Sequence, residues 1–307
     1  MKLIIQPDDG LTPIMQAVKR AKKTIDLTIF RFDRPELEKA LQAAVARGVV
    51  VRALIAHTNR GGEKGLRKLE LRLLEMGVTV SRTADDLPRY HGKMALVDDA
   101  LLVLGFNFTQ LDIEKSRSFG ILTRNPALYK EAVTLYEADC TRQPFIPTHK
   151  SFVVSPDRSR ALLTAFIKGA KKQLLIYDEK ITDRLILREL NARAEAGVEI
   201  RVLGKMEKAP KSAEVRKLSD LRPHVRAIIR DGVQAFVGSQ SLRKLELDNR
   251  REIGLIVNDS RIARKIQAVF EEDWAHAAGK GDGKNDKDND KGKDKEKDKD
   301  KDATKVA

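Results

Sequence analysis

The chain has 307 residues and is short of several things. It holds one cysteine, Cys140, so no disulfide can close within it and nothing points to an oxidising compartment. No stretch approaches the roughly 18 uncharged apolar residues of a membrane-spanning helix. Residues Met1 to Gly10 offer one apolar run, Leu3-Ile4-Ile5, and then two acids, which is not the pattern of a signal peptide. The expected location is therefore cytoplasmic or peripheral to a membrane. Aromatic residues make up 5% of the chain, too few for extended stacking platforms on single-stranded nucleic acid. The histidines His57, His149 and His276 are scattered, and no His/Cys/Asp/Glu cluster has metal-ligand spacing, so neither a metal nor another cofactor is expected.

What is abundant is positive charge: 59 Lys and Arg against 45 Asp and Glu, a net +14. From Lys280 onward the sequence alternates Lys with Asp, Gly and Asn. That segment carries 10 Lys and 9 acids, so +13 of the excess belongs to the preceding body. The segment has almost nothing apolar to bury and is expected to be a disordered, charge-balanced tail, 279–307. A basic body calls for an anionic partner: a phospholipid at a membrane surface, with anionic lipid included, or nucleic acid.

The body alternates short apolar strands with helical periodicity. Leu3-Ile4-Ile5, Thr24 to Phe30 and Val49 to Ile55 read as strands, the last of the buried parallel kind. Thr12-Pro13 and Asp33-Arg34-Pro35-Glu36 read as helix starts, with Thr12 and Asp33 as caps. Further strands are expected at Val78 to Ser81, Lys93 to Val97, Leu101 to Leu104 and Phe119 to Thr123. Helices are expected at Glu63 to Glu75 and from Pro126 to Cys140.

The pattern then repeats. Pro7-Asp8 matches Pro156-Asp157, Ala21-Lys22-Lys23 matches Ala170-Lys171-Lys172, and Gly48 and Arg52 match Gly197 and Arg201, all at an offset of 149 residues. Further on, the offset falls to 133, which implies that the second half has lost most of one helix and one strand. The closing segments Tyr136 to Cys140 and Phe270 to Trp274 also correspond. Two tandem α/β lobes with mixed sheets flanked by helices follow, 1–140 and 151–278, joined by a Pro-containing linker, 141–150, and related by a pseudo-two-fold axis.

In the repeat, His91-Gly92-Lys93 with Asp98 returns as His224-Val225-Arg226 with Asp231. A histidine and a cation two apart on a strand share one face. A pseudo-two-fold axis would bring two imidazoles and two cations to one point, a poor core and a good phosphate site. One neutral imidazole could attack phosphorus while the other, protonated, gives its proton to the leaving alkoxide.

These motifs resemble those of the phospholipase D superfamily, with its doubled His-x-Lys-x4-Asp signature. The resemblance implies a phosphodiesterase or phosphatidyltransferase working through a phosphohistidine, with His91, Lys93, Asp98, His224, Arg226 and Asp231 as catalytic residues. It also implies phosphate-binding roles for Asn107, Ser239, Ser241 and Glu252. This chain departs from the pattern at three places: Arg226 for lysine, Ser241 for asparagine, and Ser118 where the second half has Glu252. His91, whose lysine is intact, is expected to attack and His224 to shuttle the proton. The favoured reading is cleavage or exchange of a phospholipid phosphodiester, by hydrolysis or by cardiolipin synthase-type transfer. Its alternatives are a nuclease of the same superfamily and a catalytically impaired protein that binds anionic lipid.

Overall fold

A computed structural model describes residues 1–57, 62–86 and 89–277. The segment expected to be disordered lies outside the described residues. The first lobe runs β1 (Lys2–Gln6), α1 (Thr12–Arg20), β2 (Thr24–Ile29), α2 (Pro35–Ala46), β3 (Val50–Ile55), α3 (Gly62–Glu75), β4 (Thr79–Arg82), β5 (Met94–Val97), β6 (Ala100–Leu104), α4 (Gln110–Glu114), β7 (Ser116–Thr123) and α5 (Pro126–Thr141). The second runs β8 (Phe152–Val154), α6 (Ser159–Lys168), β9 (Gln173–Ile181), α7 (Arg184–Glu195), β10 (Glu199–Met206), β11 (Glu214–Arg216), β12 (Arg222–Pro223), β13 (Ala227–Arg230), β14 (Gln234–Gly238), α8 (Lys244–Asp248), β15 (Ile253–Val257) and α9 (Ser260–His276).

The strand orders are β1-β7-β6-β5-β2-β3-β4 and β8-β15-β14-β13-β9-β10-β11, the same order twice. In each order the last three strands are parallel and the others antiparallel, and β12 of the second lobe adds to the first sheet parallel to β7. The fold is therefore two similar mixed α/β sheets, as the duplication implies. One expectation needs correcting. No described helix in the second lobe matches α3, but the strand survives: β11 lies parallel to β10 as β4 lies parallel to β3.

Two helix starts also differ. Thr12 is the first residue of α1, and Leu11 caps it with no side-chain bond, leaving Pro13 to tolerate the missing donor in the first turn. Arg34, not Asp33, caps α2. The Asp33 carboxylate instead accepts from the amide of Gln110.

The lobes are held by exchanged elements. In each half the backbone just before the histidine lies parallel to a strand of the other half: Tyr90 bridges to Arg251, and Pro223 pairs with Arg117. Arg117 forks onto Asp273 of α9 at 2.8 and 3.0 Å. Its counterpart Arg251 reaches Asp139 of α5 at 3.1 Å. These are reciprocal, buried ion pairs across the lobe boundary. Besides a core within each lobe, one apolar cluster spans both, from Phe119 and Leu135 to Tyr177, Val237 and Phe270. The backbones meet closely: a Cβ on Gly105 would lie 3.2 Å from the carbonyl oxygen of Gly238, and one on Gly92 only 2.7 Å from Ile253.

Candidate active site

His91 and His224 enter the lobe interface from the chain just before β5 and β13, and the exchange of backbone across that interface decides what they meet. Both His91 N–H and Gly92 N–H donate to the carbonyl of Arg251 at 2.8 Å. Arg251 is followed by Glu252, so the second lobe delivers a carboxylate to the first lobe's histidine. His91 Nδ1 lies 3.0 and 3.1 Å from the two Glu252 oxygens. A carboxylate on Nδ1 fixes the proton there and leaves the Nε2 lone pair for chemistry.

Symmetry would give His224 the side chain at Ser118, which has no carboxylate. The acid comes instead from α4: His224 Nδ1 is 3.4 Å from Asp112, an ion-pair distance without hydrogen-bond alignment. Asp112 is held in place by the Asn107 amide N–H at 2.8 Å, the Asn107 side-chain amide at 2.6 Å and Arg222 at 2.7 Å. The sequence reasoning missed Asp112. A signal was present, because Leu111-Asp112-Ile113-Glu114 matches Leu245-Glu246-Leu247-Asp248 at an offset of 134.

Lys93 and Arg226 are both buried. Lys93 donates to the His91 carbonyl at 2.7 Å. Arg226 donates to Glu179 at 3.1 Å, and its Nε has no partner. Both cations act on both imidazoles, which ties the two motifs into one electrostatic unit. Burial, reinforced by Lys93 and Arg226, holds His91 well below its ordinary 6.5. Burial, then Arg226, does the same to His224 despite Asp112. Burial lowers Lys93 from 10.5 to about 7, with Glu252 and Asp112 opposing. Burial also raises Glu252 above its ordinary value, against the pull of Lys93 and the Ser239 hydroxyl. Burial thus pushes both imidazoles and Lys93 towards their neutral forms, and a bound anion would draw them back towards the charged ones.

The remaining expected residues take other positions. Asp98 and Asp231 sit in the turns after β5 and β13, with φ of 53° and 54°. The Asp98 carboxylate accepts from the amides of Lys22, Lys23 and Thr24, and the Asp231 carboxylate from those of Lys171, Lys172 and Gln173. They pin β2 and β9 to the motif strands, at the opposite strand end from the imidazoles, and do not join them. The four expected phosphate ligands also face inward. Asn107 spends its donors on Asp112, Ser239 meets the backbone of Ile253, Ser241 donates to Asp178 at 2.5 Å, and Glu252 backs His91. Each of the four thus has a carboxylate, imidazole or backbone partner inside the protein. The sequence reasoning also missed Phe30, edge-on to His91 at 4.9 Å and beneath Arg89 at 4.5 Å.

With this geometry in place, comparison with known proteins gives a family match over most of the chain. Residues 14–140 and 163–274 match the family model described as the cardiolipin synthase, PLD-like domain. The chain belongs to the phospholipase D-like family. The human mitochondrial cardiolipin hydrolase is 28% identical over 177 residues, which cover 55% of this chain and 65% of that protein. Two solved structures share the fold of this family member. The polyphosphate kinase of Porphyromonas gingivalis superposes with a TM-score of 0.74 at 19% identity, over 89% of this chain and 50% of that one. The phosphatidylserine synthase of Haemophilus influenzae gives 0.70 at 12% identity, over 90% and 87%. Among the described residues, no helix is long and apolar enough to cross a membrane.

Proposed function

We propose that this protein cleaves or exchanges a phospholipid phosphodiester through a covalent phosphohistidine. The observation that carries the proposal is the pair of imidazoles, each with a carboxylate behind Nδ1, set among two buried cations. Likeness to a cardiolipin hydrolase supports a lipid substrate.

His91 Nε2 attacks phosphorus, and the bond from phosphorus to the leaving-group oxygen breaks. His224 Nε2 gives its proton to that oxygen. Water or an alcohol then loses its proton to His224 as its oxygen attacks phosphorus, and the phosphorus–nitrogen bond breaks. Glu252 holds His91 with Nε2 free. Lys93 and Arg226 neutralise the non-bridging oxygens, and the bound anion in turn raises the tendency of His224 to carry a proton.

The test is incubation with mixed phospholipids, with and without ethanol. Wild type should release head groups and form phosphatidylethanol when ethanol is present, and His91→Asn should do neither. Equal turnover by wild type and variant, or nicking of plasmid DNA with no lipid turnover, would overturn the proposal.

A further inference from the structure

The two sides of the site also differ at a further pair of equivalent positions. In the first lobe Thr28 lies opposite Met94, so two residues further on Phe30 faces Gly92, next to His91. In the second lobe Tyr177 lies opposite Ala227, and Glu179, two residues further on, pairs with Arg226. Phe30 and Glu179 are related by the 149-residue offset. One side of the site thus has a buried ring. The other has a carboxylate whose side chain is 53% exposed and which pairs with the buried Arg226 at 3.1 Å.

An anion seated on Arg226 takes the place of Glu179, which is then free to pair with another cation. A lipid head group that carries an ammonium close to its phosphate supplies both charges: its phosphate replaces Glu179 on Arg226, and its ammonium replaces Arg226 on Glu179. A neutral glycerol head group satisfies only the first exchange, and an anionic one is repelled. The position agrees with the chemistry. If His91 attacks, the leaving group departs towards His224, the side on which Glu179 stands.

We infer that Glu179 is a specificity residue that favours zwitterionic phospholipids, those whose departing alcohol bears an amine, over lipids with neutral or anionic head groups. This inference rests on the proposed phosphodiesterase activity.

The experiment is competitive turnover of phosphatidylethanolamine and phosphatidylglycerol from the same detergent micelles, with the ratio of the two kcat/KM values as the readout. That ratio cancels differences in active fraction and in surface binding. Wild type should prefer phosphatidylethanolamine by about fivefold, the scale of a half-exposed charge pair. Glu179→Gln should bring the ratio near one, and Glu179→Asp should retain most of it. Turnover of both lipids with a ratio unchanged in Glu179→Gln would overturn the inference alone. Turnover of neither lipid by wild type would overturn it together with the proposed activity.

Discussion

The two halves of the site share a backbone plan but are completed differently. His91 takes its carboxylate from Glu252, on the strand that crosses from the other lobe, at 3.0 Å. His224 has Ser118 at that place in the fold, and takes its carboxylate from Asp112 on a short helix, at 3.4 Å. Lys93 corresponds to Arg226, and Phe30 to Glu179. The difference shows that duplication fixes where a charge is needed, while the residue that provides it can move. An orienting carboxylate needs only to reach Nδ1, and either a neighbouring strand or a nearby helix can bring it there. The proposed division of labour gives attack to the better-held histidine, because a nucleophile needs a fixed lone pair, whereas a proton shuttle must change partners.

The most damaging change to either half is loss of its histidine. His91→Asn and His224→Asn should each lower kcat/KM by at least about a thousandfold with the fold retained, measured by lipid turnover alongside thermal melts. If one variant kept near-normal activity, the two halves would not form a single site.

Removing the cation comes next. Lys93→Met should cost about 100- to 1000-fold in activity. It should also stabilise the ligand-free protein near neutral pH. Lys93 is depressed from 10.5 to about 7, so between those values the unfolded chain binds more protons than the folded one, and stability rises with pH across that window. His91 and His224, both depressed below 6.5, contribute in the same direction at acid pH, where protonation of the unfolded chain destabilises the fold. Lys93 must be charged to hold phosphate, so wild-type kcat/KM should fall as pH rises through about 7. Lys93→Arg should shift that descending limb to higher pH. An unmoved limb would show that another group sets it.

The carboxylates test the unequal halves directly. Glu252→Gln should cost about 10- to 100-fold, and Asp112→Asn less, near the lower end of that range. A larger loss from Asp112→Asn would reverse the order argued from the two distances. The smallest effect is expected from Arg226→Lys, a change of less than about tenfold in kcat/KM. That substitution restores the residue of the other half but gives up the planar fork now facing Glu179.

Much of this architecture was legible in the sequence. The constant offset of matched residues revealed two lobes and matched His91 and Lys93 to His224 and Arg226, although both pairs lie in the chain just before β5 and β13 and not on the strands themselves. What escaped was whatever depends on contacts between distant segments. Asp98 and Asp231 share the signature spacing, yet they serve as amide acceptors that anchor β2 and β9, because positive φ in a turn aims their carboxylates at the strand starts. The family resemblance implied phosphate-binding roles for Asn107 and Glu252, but not the partners they take inside the protein, Asp112 and His91. Asp112 lies in a five-residue helix too short to show periodicity, and its role depends on a histidine 112 positions further along the chain. The survival of β11 without a helix before it was likewise invisible, since Glu214–Arg216 is only three residues long.

The central claim is one active site with unequal halves, in which His91 attacks and His224 carries the proton. It is tested most directly by acid-quenching the protein during turnover of a phosphorus-labelled phospholipid and mapping the trapped phosphohistidine by mass spectrometry. The label should be found on His91, and it should accumulate when His224→Asn slows release. Label on His224, with His91→Asn still forming it, would contradict the account.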